Sequence, residues 1–161
     1  MSKRLPVRCV RAIILHRTDK NAVLCYYAPM FEVRVEADFA AAHFLKDYHG
    51  KCENLHGHNY KVYAHAHGNE LDEGGMLLDF TVLKKALRSV CKKLDHTNLN
   101  DLEENGKSVF MQNPSAERIA KWIFENVQEE LAAEGLQNDA GKLFAVDVFE
   151  TPSSRARYIP E

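Results

Sequence analysis

The chain is predicted to fold as an α+β domain, an antiparallel sheet with two helices packed on one face. Three observations predict it. Apolar and polar side chains alternate over residues 31–39 and again over 58–67, the period of a strand that buries one face. Two later stretches, 80–94 and 119–131, repeat apolar residues at three and four positions, the period of a helix that buries one stripe. A further apolar, β-branched run, Leu143 to Glu150, follows them, so strands flank the helical pair.

Taken in order, residues 1–29 carry Lys3, Arg4, Arg8, Arg11, Arg17 and Lys20 against Asp19, a net of +5 that leaves −7 of the chain's −2 for residues 30–161. That break marks residues 1–29 as a basic N-terminal extension and 30–161 as a single domain. Within the extension, Val10 to Leu15 and Ala22 to Tyr27 have the makings of a hairpin turning at Asp19-Lys20-Asn21. From Phe31, the residues Val33, Val35, Ala37 and Phe39 alternate with Glu32, Arg34, Glu36 and Asp38. Residues 40–57 are predicted to be a loop. The second strand follows, with Tyr60, Val62, Ala64 and Ala66 on the parity of His58, and Asn69 to Gly75 reads as a turn. Asp79 is placed to cap a helix over Phe80 to Leu94 whose stripe is Phe80, Leu83, Leu87, Val90, Cys91 and Leu94. Asn113-Pro114 suits the cap and first residue of a second helix. Its buried face is Ile119, Ile123, Val127 and Leu131, and Gly135 suits its end. After Thr151 the chain has room for a short edge strand. One such sheet has exposed edges, which argues for pairing with other subunits.

With 161 residues, 45% hydrophobic and 27% charged, the chain has the composition of an ordinary globular domain. No apolar run approaches the roughly 20 residues that span a bilayer. A net charge of −2 gives no nucleic-acid surface. Cys9, Cys25, Cys52 and Cys91 show no framework spacing, and no secretory signal precedes them, so free thiols in a reducing cytoplasm are expected.

The stretch from Cys52 to Tyr60 holds the chemistry. His56 and His58 lie at i and i+2, so on a strand their imidazoles point the same way. His43 supplies a third ring and Cys52 a thiol. Three imidazoles form a catalytic zinc site with an open position; with Cys52 as fourth ligand the site would be closed and structural. Spacing leaves both open, and His65-Ala66-His67 shows that His-x-His also arises by chance. Gly57 would allow close backbone approach between the two rings. Beside Zn²⁺ or histidine, Cys52 would form a thiolate able to act as base or nucleophile. Asp95-His96 can set an imidazole tautomer, and Glu150 can accept two parallel N–H bonds, although taken alone each reads more simply as the end of an element.

Together these residues resemble the 6-pyruvoyltetrahydropterin synthase superfamily, and within it the QueD-type 6-carboxytetrahydropterin synthases. The resemblance spans about residues 31–151. It rests on Phe39 to His43, Cys52 to His58, Asp79-Phe80 with Leu83-Lys84, Leu94-Asp95-His96 with Leu99-Asn100, Asn113-Pro114-Ser115 with Glu117, and Glu150-Thr151. Three residues separate Cys52 from His56, as in the QueD type, whereas the biopterin-pathway synthases have a longer gap. The resemblance implies a cytoplasmic zinc enzyme with the tunnelling fold, whose subunits join sheets into a barrel, commonly a homohexamer of two trimers. The implied reaction converts 7,8-dihydroneopterin triphosphate to 6-carboxytetrahydropterin, acetaldehyde and triphosphate, en route to queuosine. It implies His43, His56 and His58 as zinc ligands and Cys52 as the base. It further implies Asp95 and His96 as a proton-transfer pair, Glu150 as the pterin anchor and Ser115 as a further pterin contact. Ala116 stands where the family often has a second hydroxyl, and residues 1–29 have no counterpart in short members. Lys51, Arg155 and Arg157 are candidates for the triphosphate, though surface charge is the simpler reading. A pyruvoyl-type synthase and a non-catalytic zinc or pterin-binding protein are the alternatives.

Overall fold

Strand β1 runs from Phe31 to His43 and pairs antiparallel along its whole length with β2, His56–Gly68, in a computed structural model that describes residues 30–161. The proposed hairpin within residues 1–29 lies outside the described residues. Both strands are longer than their alternation suggests. Ala40, Ala41 and Ala42 hide the period because all three are small and apolar, yet Ala41 and His43 continue the parity of Phe39. Residues 40–43, expected in a loop, are therefore the end of β1, and His43 sits on a strand.

Helix α1, Phe80–Leu94, has the predicted bounds. The Asp79 carboxylate accepts the Thr81 N–H at 2.7 Å, satisfying one of the free donors of the first turn. Its buried residues are Leu83, Ala86, Leu87, Val90, Cys91 and Leu94; Phe80, assigned to the stripe, stands 56% exposed at the first helical position. Cys91 is buried among them as a small apolar group, and burial pushes its thiol up to about 12.

After α1 come β3, Thr97–Asn98, a 3₁₀ turn over Leu99–Asp101, and a small hairpin of β4, Glu103–Glu104, with β5, Lys107–Ser108. Helix α2 is Ala116–Ala133, capped by Ser115. The expected Asn113 cap is corrected: the side chain of Asn113 pairs with the backbone of Lys46 instead. A short helix α3, Gln137–Ala140, follows Gly135, whose φ of +81° is the left-handed end that glycine permits. Strands β6, Leu143–Thr151, and β7, Ser154–Tyr158, complete the sheet in the order β3-β1-β2-β6-β7.

One face of the sheet carries Val35, Ala37, Phe39, Tyr60, Val62, Val146 and Val148 against the stripes of α1 and α2. Phe39 stacks on Tyr60 with ring centroids 4.6 Å apart. The other face is polar. There the Arg34 guanidinium lies 4.4 Å over the Tyr63 ring. His65, 4% exposed, is held between Glu32 at 2.8 Å and Asp147 at 2.9 Å, and Arg157 grips the same Asp147 with two bonds. Arg157, a candidate for the triphosphate, is thus already committed to a carboxylate.

Candidate active site

The register of β1 on β2 builds the site. His43 stands opposite His56, and Ala41 opposite His58, so all three imidazoles project from the helix-facing side at one end of the hairpin. Their potential ligand atoms all lie within 4.8 Å of one another. Each partner of these rings matters for which nitrogen is free. His43 donates its Nδ1–H to the Pro114 carbonyl at 2.9 Å, and His56 donates its Nδ1–H to the Asn54 carbonyl at 2.8 Å. In both rings the lone pair is left on Nε2. His43 Nε2 is buried without a hydrogen-bond partner, which in a polar interior calls for something to receive it. Burial, ahead of the opposing Pro114 bond, pushes the His43 pKa below 6.5, so the ring is neutral and ready to ligate near neutral pH. Chemistry of the donors, tautomers and an orphaned buried nitrogen together fit a divalent metal.

Cys52 lies four residues ahead of His56 on a 3₁₀ turn over Lys51–Glu53, half-buried. Its sulfur is not among the converging ligand atoms, so among the described residues the cluster is three histidines. Gly57 faces away from them beside Ala42. A Cβ there would meet the Ala41 carbonyl at 3.4 Å and the Ala42 Cα at 4.0 Å, ordinary contacts, so the close approach expected of Gly57 is not one the backbone requires.

Glu150 comes from the end of β6 and brings an oxygen to 3.8 Å from His43 Nε2. Tyr60 shares the parity of His56 and His58, packs edge-on to His58 at 5.5 Å, and has a buried hydroxyl with no partner. Burial, with the Glu150 charge adding to it, pushes its pKa above the normal phenol range. The alternation places Tyr60 on the parity of His58 but gives no sign of its unpartnered hydroxyl.

Asp95 and His96 are stapled to β1 at Ala40. The Asp95 carboxylate accepts the Ala40 N–H at 2.8 Å and His96 donates its backbone N–H to the Ala40 carbonyl at 2.6 Å. His96 Nδ1 lies 2.9 Å from the same carboxylate, which directs the other ring nitrogen outward as an acceptor. The Ala40 bond first, and then His96, hold the Asp95 carboxyl below its usual range. His96 has φ of 59°, an uncommon conformation for a non-glycine residue, and its side chain is 83% exposed. A groove of about 500 Å³ is lined by Ala40–Ala42, Gly57–Asn59 and His96–Asn98. Ser115 caps α2 through its backbone and makes no side-chain cap bond, which leaves its hydroxyl uncommitted to the helix; it directly follows Pro114, the partner of His43.

A family model described as 6-pyruvoyl tetrahydropterin synthase matches residues 32–161. The chain is 39% identical over 134 residues to the 6-carboxy-5,6,7,8-tetrahydropterin synthase of Bacillus subtilis, covering 81% of this chain and 86% of that one. It is 38% identical over 134 residues to the protein of the same name from Synechocystis, covering 80% and 93%. In structure it is similar to the 6-pyruvoyl tetrahydropterin synthase of Caenorhabditis elegans, with a TM-score of 0.67 at 27% identity over 85% of this chain and 100% of that one.

Proposed function

The chain belongs to the 6-pyruvoyl tetrahydropterin synthase family, and on that premise we propose that it is a 6-carboxytetrahydropterin synthase that turns 7,8-dihydroneopterin triphosphate into 6-carboxy-5,6,7,8-tetrahydropterin, acetaldehyde and triphosphate. The observation that carries this reading is Cys52, held on a turn four residues ahead of His56 and outside the ligand set of the three converging histidines. A thiol so placed can serve as a base without being spent on metal.

His43, His56 and His58 would hold a zinc ion, which when bound supplies a Lewis acid for the substrate's side-chain hydroxyls. Glu150 would accept the paired N–H edge of the pterin, fixing the ring with a charge-assisted bond at each oxygen. The Ser115 hydroxyl is free to add a contact. Cys52, as thiolate, would take the proton from the substrate side chain. His96, with Nδ1–H held by Asp95, would move a proton elsewhere on the substrate through its outward nitrogen. The outer edge of β1 from Phe31 to Phe39 has no strand paired with it among the described residues, because β3 meets only Ala41 and Ala42, and Asp95 and His96 take the backbone of Ala40. Among the described residues the outer edge of β7 has no strand paired with it either. Two open edges support joining of sheets into an oligomeric barrel, a hexamer in our reading, with the polar face inside. Queuosine biosynthesis in the cytoplasm is the setting this product fits. Among the described residues no helix is long and apolar enough to cross a membrane.

Mass analysis of the products from 7,8-dihydroneopterin triphosphate tests the proposal: acetaldehyde and a carboxypterin are expected. A pterin that keeps its three-carbon side chain would instead favour a 6-pyruvoyl synthase, the name carried by the similar solved structure. A metal spectrum with Cys52 sulfur bound to zinc in the resting protein would favour a non-catalytic site.

A further inference from the structure

Past His43 the chain passes through Phe44 and Leu45 to a turn at Lys46 and Asp47, and among the described residues no strand pairs with it there. Two asparagine side chains take a strand's place. The Phe44 N–H donates to Asn100 Oδ1 and Asn100 Nδ2 donates to the Phe44 carbonyl, both at 2.9 Å. Two residues on, the Lys46 N–H donates to Asn113 Oδ1 at 2.7 Å and Asn113 Nδ2 donates back to the Lys46 carbonyl at 3.1 Å. In extended backbone, residues i and i+2 present their N–H and C=O groups to one edge and the residue between to the other. Leu45 therefore faces the opposite way, and its N–H donates to the carbonyl of Cys52 at 2.8 Å.

In the intervening loop Asp47 and His49 have positive φ, 59° and 58°, the left-handed conformation that Asp and His adopt more readily than most non-glycine residues. The segment that holds Lys46 also holds the metal-side histidine, since Pro114, next to Asn113, accepts the His43 Nδ1–H. One dipeptide thus sets where His43 and the stretch leading to Cys52 lie relative to each other. Neither asparagine reaches the converging imidazoles or carries a charge, and neither has a role in the reaction described above.

We propose that Asn100 and Asn113 are positioning residues for Cys52: as side-chain substitutes for a strand they hold the backbone of Phe44 and Lys46, so that Leu45 between them fixes the turn bearing the thiol. This rests on the reading of Cys52 as the base. The test uses the full, metal-loaded chain with Asn100→Ala, Asn113→Ala and Asn113→Asp. The last keeps the acceptor for the Lys46 N–H but sets a carboxylate oxygen against the Lys46 carbonyl, and it serves where an alanine variant fails to fold. Iodoacetamide alkylation is followed by peptide mass at Cys52, with buried Cys91 as a control for the fold. Release of the turn should raise the Cys52 rate by about threefold or more while Cys91 stays protected. Metal content and KM should hold, and kcat should fall roughly 10- to 100-fold, as expected of a misplaced catalytic group. An unchanged Cys52 rate overturns the proposal whatever the activity. So does a Cys91 that opens, or metal that is lost, in every variant, because the asparagines would then serve the fold alone. A wild-type chain inactive on 7,8-dihydroneopterin triphosphate whose variants still release Cys52 would overturn the proposed reaction and support the clamp.

Discussion

Replacing Asp147 with Ala removes a carboxylate that ties β2, β6 and β7 together on the polar face. Its side chain is 5% exposed and accepts three bonds: Arg157 Nε at 2.7 Å, Arg157 Nη2 at 2.8 Å and His65 Nε2 at 2.9 Å. Burial alone would raise its pKa, yet the bonds from Arg157 and His65 together hold it below the usual range. Deleting one partner of a buried ion pair costs about 3–5 kcal/mol, because the remaining charge loses its counterpart. The Arg157 side chain is 31% exposed and can turn to water, whereas His65, at 5%, cannot. The loss should therefore fall near the lower bound, about 3 kcal/mol, or a drop in Tm of roughly 6–12 °C for a chain of this size. Urea unfolding followed by the fluorescence of Trp122, the single tryptophan, at fixed protein concentration measures it. Metal content should not change, since His43 projects from the opposite face. A loss below about 1 kcal/mol at unchanged m-value would refute the argument that this cluster is desolvated enough to matter.

Other expectations concern the site and the chain's start. Cys52→Ala should keep metal and substrate binding and lose turnover by about 10²–10⁴-fold, while Glu150→Ala should mainly weaken pterin binding; metal content, affinity and single-turnover rate separate the two, and loss of metal from Cys52→Ala would make the thiol a ligand. His43 has a depressed pKa from burial, so the unfolded chain takes up protons first as the pH falls. Its contribution to the stability of metal-stripped protein should be complete above about pH 6.5 and fade as pH drops through the lower folded value, a slope that His43→Asn should remove. A chain beginning at Met30 should fold, assemble and turn over as the full chain does; loss of solubility or assembly in size-exclusion and activity measurements would show that residues 1–29 pack on the domain.

How far the sequence could be read depended on whether each signal was local. Helix α1 was legible to the residue because its cap, stripe and end all lie within sixteen positions, Asp79 to Leu94. The three-histidine cluster was legible because parity on a strand decides which side chains meet. The end of β1 was not, because three alanines erase the alternation that would have carried the strand through to His43. Asn113 followed by Pro114 has the local chemistry of a helix cap, and nothing nearby shows that its amide is taken by Lys46, 67 positions earlier. Asn100 is bound likewise to Phe44, 56 positions away. Side-chain amides that mimic a strand leave no periodic trace.

The pairing of His43 with His56 has a consequence for how the chain finds its fold. A slip of β2 by one residue would send His56 and His58 to the face away from His43. A slip of two would keep every apolar side chain on its proper face, but it would part Phe39 from Tyr60 and change which residue stands opposite His43. The alanines at 40–42 are too small to penalise that error by their packing. An ion that binds only where the three rings converge favours the correct hairpin by about 2.7 kcal/mol at a free concentration 100 times its Kd. Metal availability during synthesis would then set how many chains settle in the wrong register, so that a shortage of the ion would show first as misfolded protein and only afterwards as inactive enzyme.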